Sequence, residues 1–148
     1  MTIQGEYVPS QAAWVRNQVE RFEASNGAEA NTLRDSDDPI VVITSVGARS
    51  GHIRKNPVMR VEKDGRYVAV ASLGGAPTNP EWYHNLVANP VVDLQDGAVK
   101  TSYRARLLDG DEREQWWRYA VETWSTYGEY QKKTDRQIPV FLLEPIEP

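Results

Sequence analysis

Cysteine is absent from this 148-residue chain, and histidine occurs only twice, as His52 and His84. These absences exclude disulfides, thiolate nucleophiles, iron–sulfur clusters and cysteine-based zinc sites, and they argue against any metal site. The longest apolar runs, residues 40–43 and 68–71, have the length of strands and are too short to cross a bilayer. The N-terminus lacks the basic-then-apolar order of a secretory signal. We therefore expect one domain in the cytoplasm, without stable membrane insertion; peripheral membrane association stays open.

The charge of the chain is unevenly distributed. The net charge is −4, with 17 Lys and Arg against 21 Asp and Glu, which argues against a general nucleic-acid binder. Residues 47–66 nevertheless carry six basic side chains and only two acidic ones. A local basic segment on an acidic chain predicts a small anionic ligand there, and the alternative is a solvated charged hairpin.

Periodicity predicts an antiparallel β fold with helices at its rims. Residues 10–24 are typical of a helix capped by Ser10, followed by a connecting loop to residue 39. Two further helices are predicted, one capped by Asn79 and one opened by a capping box of Asp111 and Glu114. The predicted strands cover residues 40–46, 53–62, 66–72, 91–95, 98–108 and 138–144, with Pro57 at an edge or bulge and Asp-Gly turns after Lys63 and Gln95. This α+β pattern favours an antiparallel barrel or curled sheet over a βαβ fold.

Familiar catalytic motifs are missing. The chain has no GxSxG elbow, no GxGxxG after a strand and no GxxxxGK[ST] phosphate loop. Two histidines do not allow a Ser–His–Asp grouping to be assembled. If the protein is an enzyme, we expect a cofactor to supply the chemistry.

Three clusters remain as candidate sites. The turn GARSG and the residues after it bring together Arg49, Ser50, Arg54 and Lys55, a set suited to a phosphate or carboxylate. The small residues at 69–76 would let a flat ring lie against the backbone, although an ordinary loop exit is the alternative. The third cluster is aromatic and includes Trp82, Tyr83, Trp124, Tyr127 and Tyr130, with most of its rings expected in packing. Asn85 shares a helix stripe with Trp82 and would bind either backbone or a heterocycle.

Together the three clusters indicate a phosphorylated heterocyclic cofactor. The runs VVITSVGARSGHIRKNPV, VAVASLGGAPTNPEWYHNLVANP and YGEYQKKTDRQIPVFLLEP, over about residues 40–145, resemble the deazaflavin-dependent nitroreductase and quinone reductase family of actinobacteria. The resemblance implies a split β-barrel related to FMN-binding oxidases, with residues 1–39 as a helix and linker and residues 40–148 as the barrel. It also implies coenzyme F-420, a deazaflavin, as the cofactor.

The family's site can be carried over by position. The resemblance implies that the cofactor's phosphate and polyglutamate tail lies on Ala48, Arg49, Ser50, Arg54, Lys55, Asn56, Pro57 and Val58. It implies that the ring lies along Val70, Ala71, Ser72, Leu73, Trp82, Tyr83 and Asn85, and that Ser72, Tyr127 and Tyr130 act at the reacting end. Met59 and Trp124 stand where nitroimidazole-reducing relatives have pocket tyrosines, and Leu73 replaces a lysine. These changes remove groups that could orient or protonate a nitro compound.

The leading functional hypothesis is therefore an oxidoreductase. It would transfer a hydride from reduced coenzyme F-420 to a quinone, a nitro compound or an activated enone. The alternatives are an FMN-dependent split-barrel oxidoreductase and a cofactor-binding protein without turnover. The expected partner is a small-molecule electron acceptor, and the chain is expected to be a monomer or a homodimer.

Overall fold

A computed structural model describes residues 3–34 and 36–146. Seven antiparallel strands form one curled sheet in the order β2-β1-β5-β6-β7-β4-β3. The strands are β1 (Ile40–Val46), β2 (Ile53–Met59), β3 (Glu62–Lys63), β4 (Arg66–Val70), β5 (Val91–Asp96), β6 (Val99–Leu107) and β7 (Val140–Pro145). The helices are α1 (Ala13–Ala24), α2 (Glu81–Ala88), α3 (Gly110–Thr123) and α4 (Thr126–Lys132).

Both faces of the sheet are covered, which explains the continuous apolar sequence of β1. Ile40 and Val42 belong to a core shared with residues of α1, α3 and α4. Val41 and Ile43, on the opposite face, belong to a second core that includes Leu86 of α2. Since successive side chains of a strand point to opposite faces, a strand covered on both sides has apolar residues on both faces, as residues 40–43 of β1 do.

The Asp-Gly turn predicted after Lys63 is confirmed by the backbone, whereas the turn predicted after Gln95 is shifted by one residue, since Asp96 pairs with Val99 in the ladder. Asp64 and Gly65 connect β3 to β4 with φ angles of 55° and 79°, the left-handed values that a tight hairpin requires. Gly97, with φ of 58°, opens the two-residue loop between β5 and β6. Pro57 lies on β2, an edge strand of the sheet, as predicted.

The predicted strand over residues 53–62 is in fact two strands. β2 ends at Met59 and β3 begins at Glu62, and these strands form the two opposite edges of the sheet. Arg60 still bonds to the β1 side, since its backbone N–H donates to the carbonyl of Pro39 at 3.0 Å, whereas the carbonyl of Val61 already accepts from the N–H of Val68 in β4 at 2.9 Å. The chain therefore crosses the opening of the curled sheet at residues 60 and 61.

The three predicted helix caps are wrong. α1, α2 and α3 have Ala12, Pro80 and Asp109 at their N-caps, and none makes a side-chain capping hydrogen bond. The oxygen of Asn79 instead accepts a hydrogen bond from Arg136 at 2.8 Å, and a charged donor makes the stronger bond.

The other two cap residues are displaced along the chain. The hydroxyl of Ser10 accepts from the N–H of Ala12, before the helix begins. Asp111 lies inside the first turn of α3 rather than at its N-cap. The sequence pattern also predicts no element over residues 125–137, yet α4 forms there and buries Tyr127.

No helix among the described residues combines the length and the apolar character that a membrane span requires.

Candidate functional site

One large cavity, called the main cavity below, has a volume of about 960 Å³. Its wall combines β2, the end of β4, the start of α2, α4, and residues from α1 and the linker that follows it. The predicted site residues that line it are Asn56, Pro57, Val58, Met59, Val70, Ser72, Leu73, Trp82, Trp124, Tyr127 and Tyr130. The volume is within the range of cavities that bind cofactors and substrates.

A second cavity of about 310 Å³, the basic pocket, adjoins the main cavity through their shared residue Glu81. The predicted site residues that line it are Ala48, Arg49, Ser50, Arg54 and Asn85. Within the described chain, the guanidinium groups of Arg49 and Arg54 have no ion pair and no hydrogen-bond partner. The backbone N–H groups of Arg49 and Ser50 donate no hydrogen bond there either. Free guanidinium and amide donors around a concave pocket are suited to an anionic group.

Helix α2 holds the turn that forms the basic pocket. The side-chain oxygen of Asn85 accepts a hydrogen bond from the backbone N–H of Ala48 at 2.9 Å. One turn later, the side chain of Asn89 donates to the carbonyl of Val46 at 3.2 Å. The sequence left either backbone or a heterocycle as the partner of the Asn85 side chain, and in the structure its partner is a backbone N–H group.

Three predicted site residues lie outside both cavities. Lys55 forms an ion pair with Glu23 of α1 at 2.7 Å, and its ammonium group lies 4.6 Å from the centre of the Tyr7 ring. Ala71 is fully buried, and Tyr83 packs edge-on against Phe141. Lys55 and Arg54 lie on opposite faces of β2 because they are consecutive residues of a strand, so only Arg54 reaches the basic pocket.

The loop after β4 has an unusual backbone. Leu73, Gly74 and Gly75 have φ angles of 44°, 65° and 83°, three consecutive left-handed residues, one of which carries a side chain. A Cβ at Gly75 would lie 2.7 Å from the carbonyl oxygen of Tyr130, so the loop packs directly on α4. This contact joins the segment that carries Ser72 to the helix that carries the two tyrosines.

Arg136 fixes the same loop from the other side. Its guanidinium donates to the carbonyl oxygens of Ala71, Ser72 and Ala76 at 3.1, 2.8 and 2.9 Å, and to the side chain of Asn79. Burial lowers the pKa of Arg136 from its ordinary value, since no carboxylate of the described chain pairs with it. Sequence reasoning missed this residue, because it lies in a segment without periodicity, 64 positions from Ser72.

Four hydroxyl groups of the main cavity have no hydrogen-bond partner in the described chain, namely those of the predicted site residues Ser72, Tyr127 and Tyr130 and that of Thr78. Burial raises the pKa of Tyr127 above its usual value of 10.0, so this phenol stays protonated at neutral pH. The ring of Trp124 lies edge-on to Tyr127 at 4.9 Å and to Tyr130 at 5.8 Å. The site therefore contains hydrogen-bond donors held in an aromatic wall.

The N-terminal segment supplies a part of the cavity that sequence reasoning assigned only to a helix and linker. The residues concerned are Trp14, Val15, Leu33, Arg34 and Ser36, and Ile40 of β1 lies beside them. Trp124 fastens this wall, since its indole N–H donates to the carboxylate of Asp38 at 3.1 Å. The further lining residues that were missed are Gly74, Thr78, Asn79, Pro80 and Glu81 in the main cavity, and Gly47 and His84 in the basic pocket.

In the part of the chain that is described, no three His, Asp or Glu side chains are grouped so as to hold a metal ion.

Residues 14–145 match the family model described as F420H(2)-dependent quinone reductase. An F420H(2)-dependent quinone reductase of Mycobacterium tuberculosis (strain H37Rv) is 32% identical over 125 residues, which cover 82% of this chain and 83% of that protein.

Solved structures agree with this match. An F420-H2-dependent reductase (FDR-A) superposes with a TM-score of 0.68 and 54% identity, over 72% of this chain and 94% of that chain. A domain-swapped dimer superposes with a TM-score of 0.71 and 48% identity, over 91% and 100%. A protein of Listeria innocua described as a pyridoxamine 5′-phosphate oxidase, at 13% identity and a TM-score of 0.50 over 73% and 84%, shares the fold alone. The curled sheet is thus the split β-barrel predicted from the sequence.

Proposed function

This chain belongs to the F420H(2)-dependent quinone reductase family, and we propose that it reduces a quinone with a hydride from coenzyme F-420. The observation that carries the proposal is that the two cavities are neighbours, with Glu81 in the wall of both. The basic pocket offers unpaired guanidinium groups, and the main cavity offers unpaired hydroxyls within aromatic walls. An anionic cofactor with a flat ring needs both kinds of site, side by side.

The residues of the basic pocket fit the anionic tail of the cofactor. Arg49 and Arg54 would supply charge, and the free N–H groups of Arg49 and Ser50 would supply directed donors. Asn85 would keep the turn in place through its bond to Ala48. Glu81, at the junction of the two cavities, opposes the positive charge there and limits how far an anionic group would be drawn into the main cavity.

The main cavity fits a flat ring together with a quinone. When bound, reduced coenzyme F-420 supplies a hydride from carbon 5 of its ring. Ser72, Tyr127 and Tyr130 would donate hydrogen bonds to the quinone oxygen on which negative charge develops. Trp82, Trp124 and Val70 would exclude water and hold both partners face to face.

The experiment is a parallel titration of the purified protein with oxidised coenzyme F-420 and with FMN, followed by tryptophan fluorescence. The chain has five tryptophans, and three of them, Trp14, Trp82 and Trp124, line the main cavity, so binding should change their fluorescence. Binding that is selective for the deazaflavin, with quinone-dependent oxidation of its reduced form, supports the proposal. Preferential binding of FMN would indicate that FMN, not coenzyme F-420, is the cofactor. Tight binding of coenzyme F-420 without any quinone-dependent oxidation would indicate a cofactor carrier.

A further inference from the structure

The main cavity has two charged side chains among its described lining residues, Arg34 and Glu81. Glu81 also lines the basic pocket, whereas Arg34 lines the main cavity alone. Arg34 belongs to the wall formed by α1 and the linker, which Asp38 joins to Trp124 beside the cavity tyrosines. The positive charge of Arg34 therefore belongs to the wall of the cavity in which we place the acceptor.

The guanidinium of Arg34 is positioned by an aromatic ring. Its central carbon lies 3.9 Å from the centre of the Trp14 ring, the geometry of a cation–π contact. Within the described chain it has no carboxylate partner and donates no hydrogen bond. A guanidinium that is stacked on one face keeps its N–H edge free, and that edge matches the two oxygens of a carboxylate or sulfonate.

The backbone at Arg34 is also fixed in a costly conformation. Its φ angle of 36° is in the left-handed region that side-chain-bearing residues rarely adopt. Hydrogen bonds on both sides of Arg34 hold the turn. The backbone N–H of Leu33 donates to the carbonyl of Asp38 at 2.8 Å, and the side chain of Gln18 donates to the carbonyl of Thr32 at 2.7 Å. These bonds thus anchor the two residues that precede Arg34.

We propose that Arg34, supported by Trp14, determines acceptor specificity by selecting planar acceptors that carry an anionic substituent. This inference rests on the proposed function, because it assumes that the acceptor occupies the main cavity. The deep hydroxyl of Tyr127 would meet the reacting carbonyl, and Arg34, at the exposed rim, would bind the distal anionic group.

The first test measures binding without turnover. Naphthoate and naphthamide have the same shape and differ in charge. Calorimetry gives the dissociation constant of each, measured with the protein alone and with the protein saturated with oxidised coenzyme F-420. We expect naphthoate to bind about tenfold more tightly, as one charge-assisted contact provides. Arg34→Gln should abolish this difference, and Arg34→Lys should retain part of it because the charge remains.

Arg66 provides a matched control. Its guanidinium carbon lies 5.0 Å from the centre of the Trp116 ring, a similar cation–π pair that does not line the main cavity. Arg66→Gln should leave the preference for naphthoate unchanged. Arg34→Asn is a second variant, because asparagine tolerates a left-handed backbone better than glutamine, and the same loss in it excludes misfolding as the cause.

The second test uses turnover. With menadione and a naphthoquinone monosulfonate as acceptors, Arg34→Gln should raise the KM of the sulfonate about tenfold and leave that of menadione nearly unchanged. A preference for anions that survives in Arg34→Gln, or that the unaltered protein lacks, would overturn the inference. If no quinone is reduced at all, the proposed function fails, while the calorimetric comparison still decides whether Arg34 binds anions.

Discussion

The side-chain oxygen of Asn85 accepts a hydrogen bond of 2.9 Å from the backbone N–H of Ala48. Both residues line the basic pocket, and Asn85 is on helix α2, whose first residues, Glu81 and Trp82, line the main cavity. The bond spans 37 positions of the chain and is shielded from solvent, since Asn85 is 7% exposed. The position of the turn after β1 therefore depends on helix α2.

Substitution of Asn85 should weaken cofactor binding in two separable ways. Asn85→Ala leaves the Ala48 N–H without its partner, at a cost of about 1–3 kcal/mol, so we expect the affinity for coenzyme F-420 to fall at least fivefold. Asn85→Asp keeps an acceptor for that bond but brings a negative charge next to Arg49 and Arg54. Its affinity should fall more at low salt than at high salt. Equal affinity for all three proteins would refute the role of Asn85.

Substitutions of the neighbouring residues Arg54 and Lys55 should affect different properties, cofactor affinity for Arg54 and stability for Lys55. Arg54→Ala should lower cofactor affinity and flatten its dependence on salt, because an unpaired guanidinium is removed from the basic pocket. Lys55→Ala breaks a half-buried ion pair with Glu23, so it should lower the free energy of unfolding by about 1 kcal/mol and leave affinity unchanged. Titrations at two salt concentrations, combined with thermal denaturation, distinguish the two; a loss of affinity in Lys55→Ala contradicts the assignment.

Arg136 should act as a positioning residue for Ser72. Arg136→Met leaves three carbonyl oxygens without their charged donor, and Arg136→Lys can restore only part of this network. We expect kcat to fall more than tenfold in Arg136→Met and to recover partly in Arg136→Lys, while the protein stays folded. Circular dichroism checks the fold, and Ser72→Ala in the Arg136→Met background should cause little further loss. A full additional loss would show that the two residues act independently.

Gly75 and Gly74 form a matched pair, because both have a positive φ but only Gly75 is tightly packed. A Cβ at Gly75 would meet backbone of α4 at 2.7 Å, whereas a Cβ at Gly74 would meet nothing within 4 Å. Gly75→Ala should therefore lower the free energy of unfolding by about 2–4 kcal/mol and reduce turnover, since α4 must shift. Gly74→Ala should cost only about 1 kcal/mol, from backbone strain. Chemical denaturation of both variants provides the comparison, and similar losses in the two would contradict the packing argument.

The two tyrosines of α4 should affect turnover without affecting cofactor binding. Tyr130→Phe removes an unpartnered hydroxyl from the cavity, so kcat should fall about tenfold while the dissociation constant of the cofactor is nearly unchanged. A loss of affinity with turnover per bound cofactor preserved would contradict this role. The matched control is Tyr119→Phe, whose hydroxyl donates to the Glu62 carbonyl away from the main cavity.

The buried phenol of Tyr127 should make the free energy of unfolding depend on pH, and Tyr127→Phe should remove this contribution. Burial raises the folded-state pKa of Tyr127 above the usual value of 10.0, so the folded protein holds this proton more tightly than the unfolded chain. Turnover should therefore show no ionisation of Tyr127 below pH 10, and the free energy of unfolding should decline as the pH rises above 10. Denaturation curves of Tyr127→Phe should show a shallower decline over that range.

Some features of this protein are determined by the sequence itself. The Asp-Gly pair at residues 64 and 65 forms its hairpin, and the unbroken apolar run of β1 forms a strand buried on both faces. The motifs around residues 47–58 and 69–85 are sufficient to indicate the family, the cofactor and the split barrel. These features are local, because turn conformation, periodicity and motif spacing depend on residues that are close in the chain.

Other features were decided only by the tertiary structure. The sequence pattern groups Arg54 and Lys55 as one pair of cations, but the alternation of β2 turns one to the basic pocket and the other to Glu23. The sequence predicts that Asn79 caps a helix, but its side-chain oxygen accepts a hydrogen bond from Arg136, which lies 57 positions further along the chain. Trp14 and Arg34 enter the cavity because α1 and the linker fold back onto the sheet. Such partners meet only when distant segments pack together, and no local preference of the chain encodes that meeting.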